Sequence, residues 1–232
     1  MNNLKVDYVR VGFTLAEVLI TLGVIGVVAA ITMPTLIQNY QKHVTVNQLK
    51  KAYSELNQAI NISKLENDEL NNYDYVELTS EEAYNFAEKY LFPYLKTAKI
   101  CTPENLSECY AKAEYQLNGK NIQNNIRAER GWATFVLANG TTVAMRHETN
   151  NLAFRIDLNG LKNPNILGKD MFAFGLMENG QFKPAFFEDA FINRKRLTKT
   201  DGYCASDKTS HGIGCAALIM IDSWQIKDDY PW

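Results

Sequence analysis

The sequence predicts an α+β protein: one long N-terminal helix, its first half suited to a membrane and its second half amphipathic, packed on an antiparallel β-sheet. Three observations carry this. From Phe13 to Ile37 the only formally charged side chain is Glu17, and that run exceeds the roughly 20 apolar residues needed to span a bilayer. From Ile37 onward, Tyr40, Val44, Leu49, Tyr53, Leu56, Ile60 and Leu65 recur at mostly helical spacing, with polar residues between them. Beyond Cys109 the apolar period changes to two, with turn residues between the runs.

The first helix is expected from about Phe13 to Leu65, on the order of 80 Å at 1.5 Å per residue. A helix of that length without internal caps points to lateral association. After the polar connection LENDELNNYDYVEL, Thr79 and Glu82 form a capping-box pattern for a second helix. Its last apolar positions are Phe86, Tyr90 and Leu91, and Pro93 marks its end. WATFVLANGTTVAMR reads as a hairpin with a type I′ turn at Asn139-Gly140. LAFRIDL and MFAFGLMENGQFKPAFF read as further strands, the latter turning at Glu178, Asn179 and Gly180. A sheet with one apolar face needs a cover, and the amphipathic half of the first helix supplies it. The closing CAALIMIDSWQIKDDYPW suits a buried helix or a strand, with helix expected; Trp224, Tyr230 and Trp232 read as packing residues.

Composition narrows the function. The chain has 232 residues, a net charge of -2 and 46% apolar residues, enough for one ordinary soluble domain beyond the apolar segment. Near-neutral charge argues against nucleic acid as the main partner. Only the cluster RKRLTK, Arg194 to Lys199, favours it, and a solvated loop is the simpler account. The four cysteines all follow the apolar segment and lack CxxC spacing, which suits disulfides outside the cytoplasm. Three connectivities are formally open; short loops favour Cys101 with Cys109 and Cys204 with Cys215, and four buried free thiols are the alternative.

No GxSxG, HExxH or GxxxxGK[ST] motif is present. His43, His147 and His211 are the only histidines. His211 with Cys215 would make a nucleophile and base, but a disulfide to Cys204 is the stronger reading. No catalytic residue and no enzyme activity are expected. The loop DLNGLKNPNILGKD gathers hard oxygen donors at Asp157, Asn159, Asn163, Asn165 and Asp170, which would suit Ca²⁺. It lacks the closing bidentate glutamate of an EF-hand, and a plain turn-rich connection is the stronger reading. No other cofactor is expected.

Three readings of the first forty residues compete. A cleaved secretory signal would use Lys5 and Arg10 as its basic region and end after Ala30; it leaves Glu17 in the apolar core and cuts through a continuing helix. A plain anchor gives Glu17 no partner, although a charge within such a helix costs several kcal/mol on most scales. The third reading rests on VGFTLAEVLITLGVIGVVAAITMP, which resembles the class III signal of type IV pilins and type II secretion pseudopilins. In that family a polar leader ending in glycine precedes Phe-Thr-Leu-x-Glu and a long apolar run.

The resemblance implies that residues 1–12 are a leader, that residues 13–37 form the membrane and assembly half of the helix, and that residues 38–232 form an extracytoplasmic pilin-like domain. A prepilin peptidase/methyltransferase would cut between Gly12 and Phe13 and methylate the new amine. Glu17 would pair with the Phe13 amine of a neighbouring subunit, and Pro34 sits where many members carry a helix-breaking proline. Gly26 with Ala30 has the spacing of close helix contacts. Lysines and arginines flank both ends of the span, so charge leaves its orientation open; the resemblance and the cysteines put the N-terminus in the cytoplasm. The implied function is a structural subunit of a pilus-like filament or secretion pseudopilus. It would be a single-pass inner-membrane protein before an ATPase-driven machinery polymerises it with other pilin subunits into an extracytoplasmic filament. The alternative within the family is a minor pilin at the tip, serving DNA uptake, adhesion or cargo recognition. Several pseudopilins bind calcium in a loop of the globular domain.

Overall fold

The computed structural model describes residues 12–67, 79–122, 131–148, 151–188, 193–199, 203–205 and 210–232. Residues 1–11, all but the last of the expected leader, and the connection at 68–78 lie outside these. The chain divides into two compact units, Met1–Lys42 and His43–Trp232.

Helix α1 runs from Leu15 to Glu66. Within the first unit its apolar side chains stand exposed, as at Ile31 (70%) and Leu36 (70%). The helix is long and apolar enough to cross a membrane. Pro34 lies inside it rather than interrupting it. Proline removes one N–H and crowds the preceding turn, but the helical turns on either side continue cooperatively.

In the second unit α1 buries Val46, Leu49, Ala52, Leu56, Ala59, Ile60 and Ser63, a stripe at three- and four-residue steps. Leu65, expected on that stripe, is 84% exposed; a 3.6-residue period continued from Ile60 falls on Ser63 and Lys64 instead. Helix α2 spans Ser80–Tyr90, with Thr79 and Glu82 forming the reciprocal capping box and Leu91 closing it ahead of Pro93.

The sheet is a six-stranded antiparallel meander in chain order: β1 Thr97–Cys101, β2 Trp132–Leu137, β3 Thr142–Glu148, β4 Asn151–Asp157, β5 Met171–Met177 and β6 Phe182–Pro184. Alternation puts Phe135, Met145, Phe154, Ile156, Phe172 and Phe174 on the inner face, in one core with α1 and α2. Tyr53 of α1 ties the layers together: its ring lies 5.8 Å from those of both Phe174 and Phe182. Its hydroxyl donates to the Phe182 carbonyl at 3.4 Å.

Other features also differ from the sequence expectation. The β2–β3 connection is not a type I′ turn. Gly140 N donates to Leu137 O, Leu137 N donates to Thr141 O, and the turn's only positive φ is that of Gly140, at 87°. This is a three-residue loop closed by a glycine bulge. The β5–β6 loop repeats it at Met177, Gly180 and Gln181. The outer face is also not simply solvated: Trp132, Ala144 and Met171 pack there with Tyr110, Ala111 and Leu167. Short helices α3 (Arg194–Thr198) and α4 (Cys215–Ile221) complete the unit, the latter buried as expected.

Candidate functional site

The head of α1 begins with a local device. Gly12, Phe13 and Thr14 precede the helix, and Phe13 is 90% exposed. Thr14 N and Thr14 Oγ1 both donate to Glu17 Oε2 at 2.8 Å, and Glu17 N donates back to Thr14 Oγ1 at 3.2 Å. This is a second capping box, a Thr-x-x-Glu pattern like that at Thr79 and legible in the same way. Glu17 therefore has hydrogen-bond partners within its own helix, and a plain anchor no longer leaves it without any. The box contains no cation, so the carboxylate's charge stays unbalanced by it.

The loop between β4 and β5 brings the predicted oxygen donors together. Asp157, at the end of β4, is fully buried and accepts from Asn159 N at 3.2 Å. Asp170 accepts from Asn165 N at 2.7 Å, Ile166 N at 2.6 Å and Asn159 Nδ2 at 2.8 Å. Asp170 thus orders the loop backbone, spending most of its lone pairs on N–H groups. Burial, and after it the charge of Asp170, pushes the Asp157 carboxyl up to about 8, against the opposing backbone N–H groups of Asn159 and Gly160.

One end of the Asn165 amide faces Asp157 Oδ2 at 3.2 Å and the Lys162 carbonyl at 2.8 Å. With nitrogen at that end, the amide donates to both and the cluster needs no ion. Nitrogen at that end is the arrangement the surrounding oxygens require. Asn159 Oδ1 and, across from Asp157 in the β3–β4 register, Thr142 Oγ1 are buried without a partner. These residues do not fit a Ca²⁺ shell: the Asn165 amide donates to Asp157 and the Lys162 carbonyl, and Asp170 is taken up by loop N–H groups and the Asn159 amide. Lys162 and Thr142 carried no sequence signal, because a main-chain oxygen and a cross-strand neighbour are invisible before the fold is known. Among the described residues no three His, Cys, Asp or Glu side chains cluster as a metal site.

The cysteines pair as Cys101–Cys109 and Cys204–Cys215. Cys215 is therefore no free thiol beside His211. The basic cluster is a helix rather than a loop, and one of its charges is tied down: Arg194 Nε and Nη2 donate to both oxygens of Asp222 at 2.8 and 2.7 Å, and its Nη1 donates to Asp229 at 2.6 Å. Leu197, in the middle of the cluster, is fully buried. Arg194 thus ties α3 to the C-terminal segment, and Lys195 and Lys199 are exposed beside it.

Residues 35–232 match the model of a family of unknown function (DUF6613), and the chain belongs to that family. No curated protein and no solved structure matches it significantly. The family match begins directly after Pro34 and covers the amphipathic half of α1 with the whole sheet unit.

Proposed function

We propose that the chain is a structural subunit of a type IV pilus-like filament or type II secretion pseudopilus. The observation that carries the reading is α1 itself: one helix, Leu15–Glu66, exposes apolar side chains along its head and forms the core of a sheet domain with its tail. A head of that kind needs lipid before assembly and neighbouring helices after it. The Gly-Phe-Thr-Leu-x-Glu pattern at Gly12 to Glu17 supplies the processing step: a prepilin peptidase cuts before Phe13, and the new amine is methylated.

The capping box gives Glu17 hydrogen-bond donors in the bilayer but no counter-charge. In the filament the amine of a neighbour's Phe13 supplies that charge. An ion pair in low dielectric, formed only in one alignment, sets the register between subunits, while apolar packing provides most of the cohesion. Replacing Glu17 with alanine is expected to leave precursor cleavage largely intact and to abolish incorporation into filaments in the native host. Normal polymers built from Glu17→Ala chains would refute the assignment.

A further inference from the structure

The outer face of the sheet, opposite the core shared with α1, carries a trough of about 290 Å³. Its floor is made of Ala153, Ala173, Gly175 and Ala185. In the β4–β5 register Ala153 stands opposite Gly175 and Arg155 opposite Ala173, and Ala185 N donates to the Ala173 carbonyl at 3.0 Å. Three strand positions about 4.8 Å apart and two side-chain rows along them give a floor of roughly 10 by 7 Å. That is the footprint of one six-membered ring with a short substituent. The floor has no side-chain donor or acceptor, so it suits a flat apolar body rather than a sugar.

The walls are aromatic and held in place. Trp132 stands on one side and Phe186 on the other. Phe186 has φ +60°, a left-handed value uncommon for a bulky residue, and its ring stacks on Tyr203 with centroids 3.9 Å apart. The two arginines of the trough differ in what they have left to give. Arg146 Nε and Nη2 both donate to Glu148 Oε1, at 3.0 and 2.7 Å. Arg155 Nη1 donates to the buried Glu114, and its Cζ sits 5.8 Å from the centroid of the Trp132 ring. Its Nε and Nη2 groups have no acceptor among the described residues, and the side chain is 18% exposed. A planar guanidinium fixed on an indole thus keeps part of its donor fork for a ligand.

We infer that the trough binds a small carboxylic acid with one flat apolar ring, the ring lying on the Ala153–Gly175 floor between Trp132 and Phe186 and the carboxylate accepting from Arg155. The row of Glu148, Asn151 and Met177 lies two side-chain rows from Arg155. Its glutamate disfavours the reverse orientation. Glu114 already balances the charge of Arg155, so affinity comes from burial of the ring together with the charge-assisted hydrogen bonds and is modest.

The test is titration of the full chain in detergent micelles with 3-phenylpropionate and, separately, with its neutral amide. Binding is read from the Trp132 indole N–H signal in NMR spectra, with micelles alone as the blank and Trp224 and Trp232, which do not line the trough, as references. The acid is expected to shift the Trp132 signal saturably with a Kd of roughly 0.1 to 1 mM. The amide should bind about tenfold more weakly. Ala153→Leu fills the floor and should abolish binding of both compounds while the urea unfolding midpoint shows a folded domain. Arg155→Lys keeps a cation beside Glu114 but loses the planar fork; it should weaken the acid about tenfold and change the amide by less than about twofold. The tripeptide Gly-Gly-Phe separates two sources of the same chemistry: binding as tight as that of the small acid assigns a polypeptide end, exclusion assigns a free acid, and both support the site. No saturable shift, equal affinity for acid and amide, or acid binding intact in Ala153→Leu would overturn it.

Discussion

Changing Asp157 to asparagine should remove a pH dependence of stability that the wild-type domain shows. The folded carboxyl is raised to about 8 from an ordinary 3.8, so between those values the folded state holds a proton that the unfolded state has released. Stability linked to this group is therefore fully present below the unfolded value and is lost as pH rises through the folded one. From pH 6.5 to 8 the loss integrates to roughly 1.5 kcal/mol. That window avoids most of the titration of His147, which burial lowers to about 4. Trp132, Trp224 and Trp232 all lie in the sheet unit, so fluorescence-monitored urea unfolding of the full chain in chelator and detergent reports on that unit alone. The variant, neutral at all these pH values, should show little slope over the window. A wild-type curve flat from pH 6.5 to 8 in chelator, or an equal slope in the variant, would refute the buried, charge-crowded environment assigned to Asp157.

Other perturbations test the frame around the site. Leu56→Ala, at a fully buried position of the α1 stripe, should cost about 2–5 kcal/mol in the same unfolding assay. Thr79→Ala removes the N-cap of α2 and should cost about 1 kcal/mol. Folded His147 binds fewer protons than its unfolded form from about pH 6.5 down to about 4; stability linked to it falls with acidification over that range, and His147→Leu should flatten that limb. Arg194→Ala should lower stability through the loss of the Asp222 and Asp229 bonds. In electrophoretic mobility assays it should leave DNA binding as weak as in the wild type.

Legibility in the sequence followed the range of the physics. Capping at Thr79, the apolar stripe of α1, the strand runs from Trp132 to Phe182 and both short-loop disulfides depend on neighbours within about a dozen residues, and they were readable. The box at Thr14 was equally local; it is hidden only because the apolar run draws attention to the charge rather than to the cap. Strand β1 was missed because Thr97–Cys101 is a short edge strand with a register irregularity between Thr97 and Lys99 and no clean alternation. Both hairpins were legible as turns, but the choice between a type I′ turn and a glycine bulge depends on strand register. The β4–β5 loop was half legible: its acids and amides are near in sequence, whereas the burial of Asp157 and the part of the Lys162 carbonyl arise only when β3, β4 and the loop meet. The solvated loop expected at Arg194 to Lys199 is instead a short helix held by Arg194, whose partners lie 28 and 35 residues away and are invisible to local pattern.

The central claim is that this apolar helix is trimmed to begin at Phe13 and serves as the joint of a polymer. Mass spectrometry of the amino-terminal peptide from the native cell tests it most directly. The account predicts a chain starting with N-methylated Phe13. A mature chain that retains Met1, or one that starts after Ala30, would contradict it.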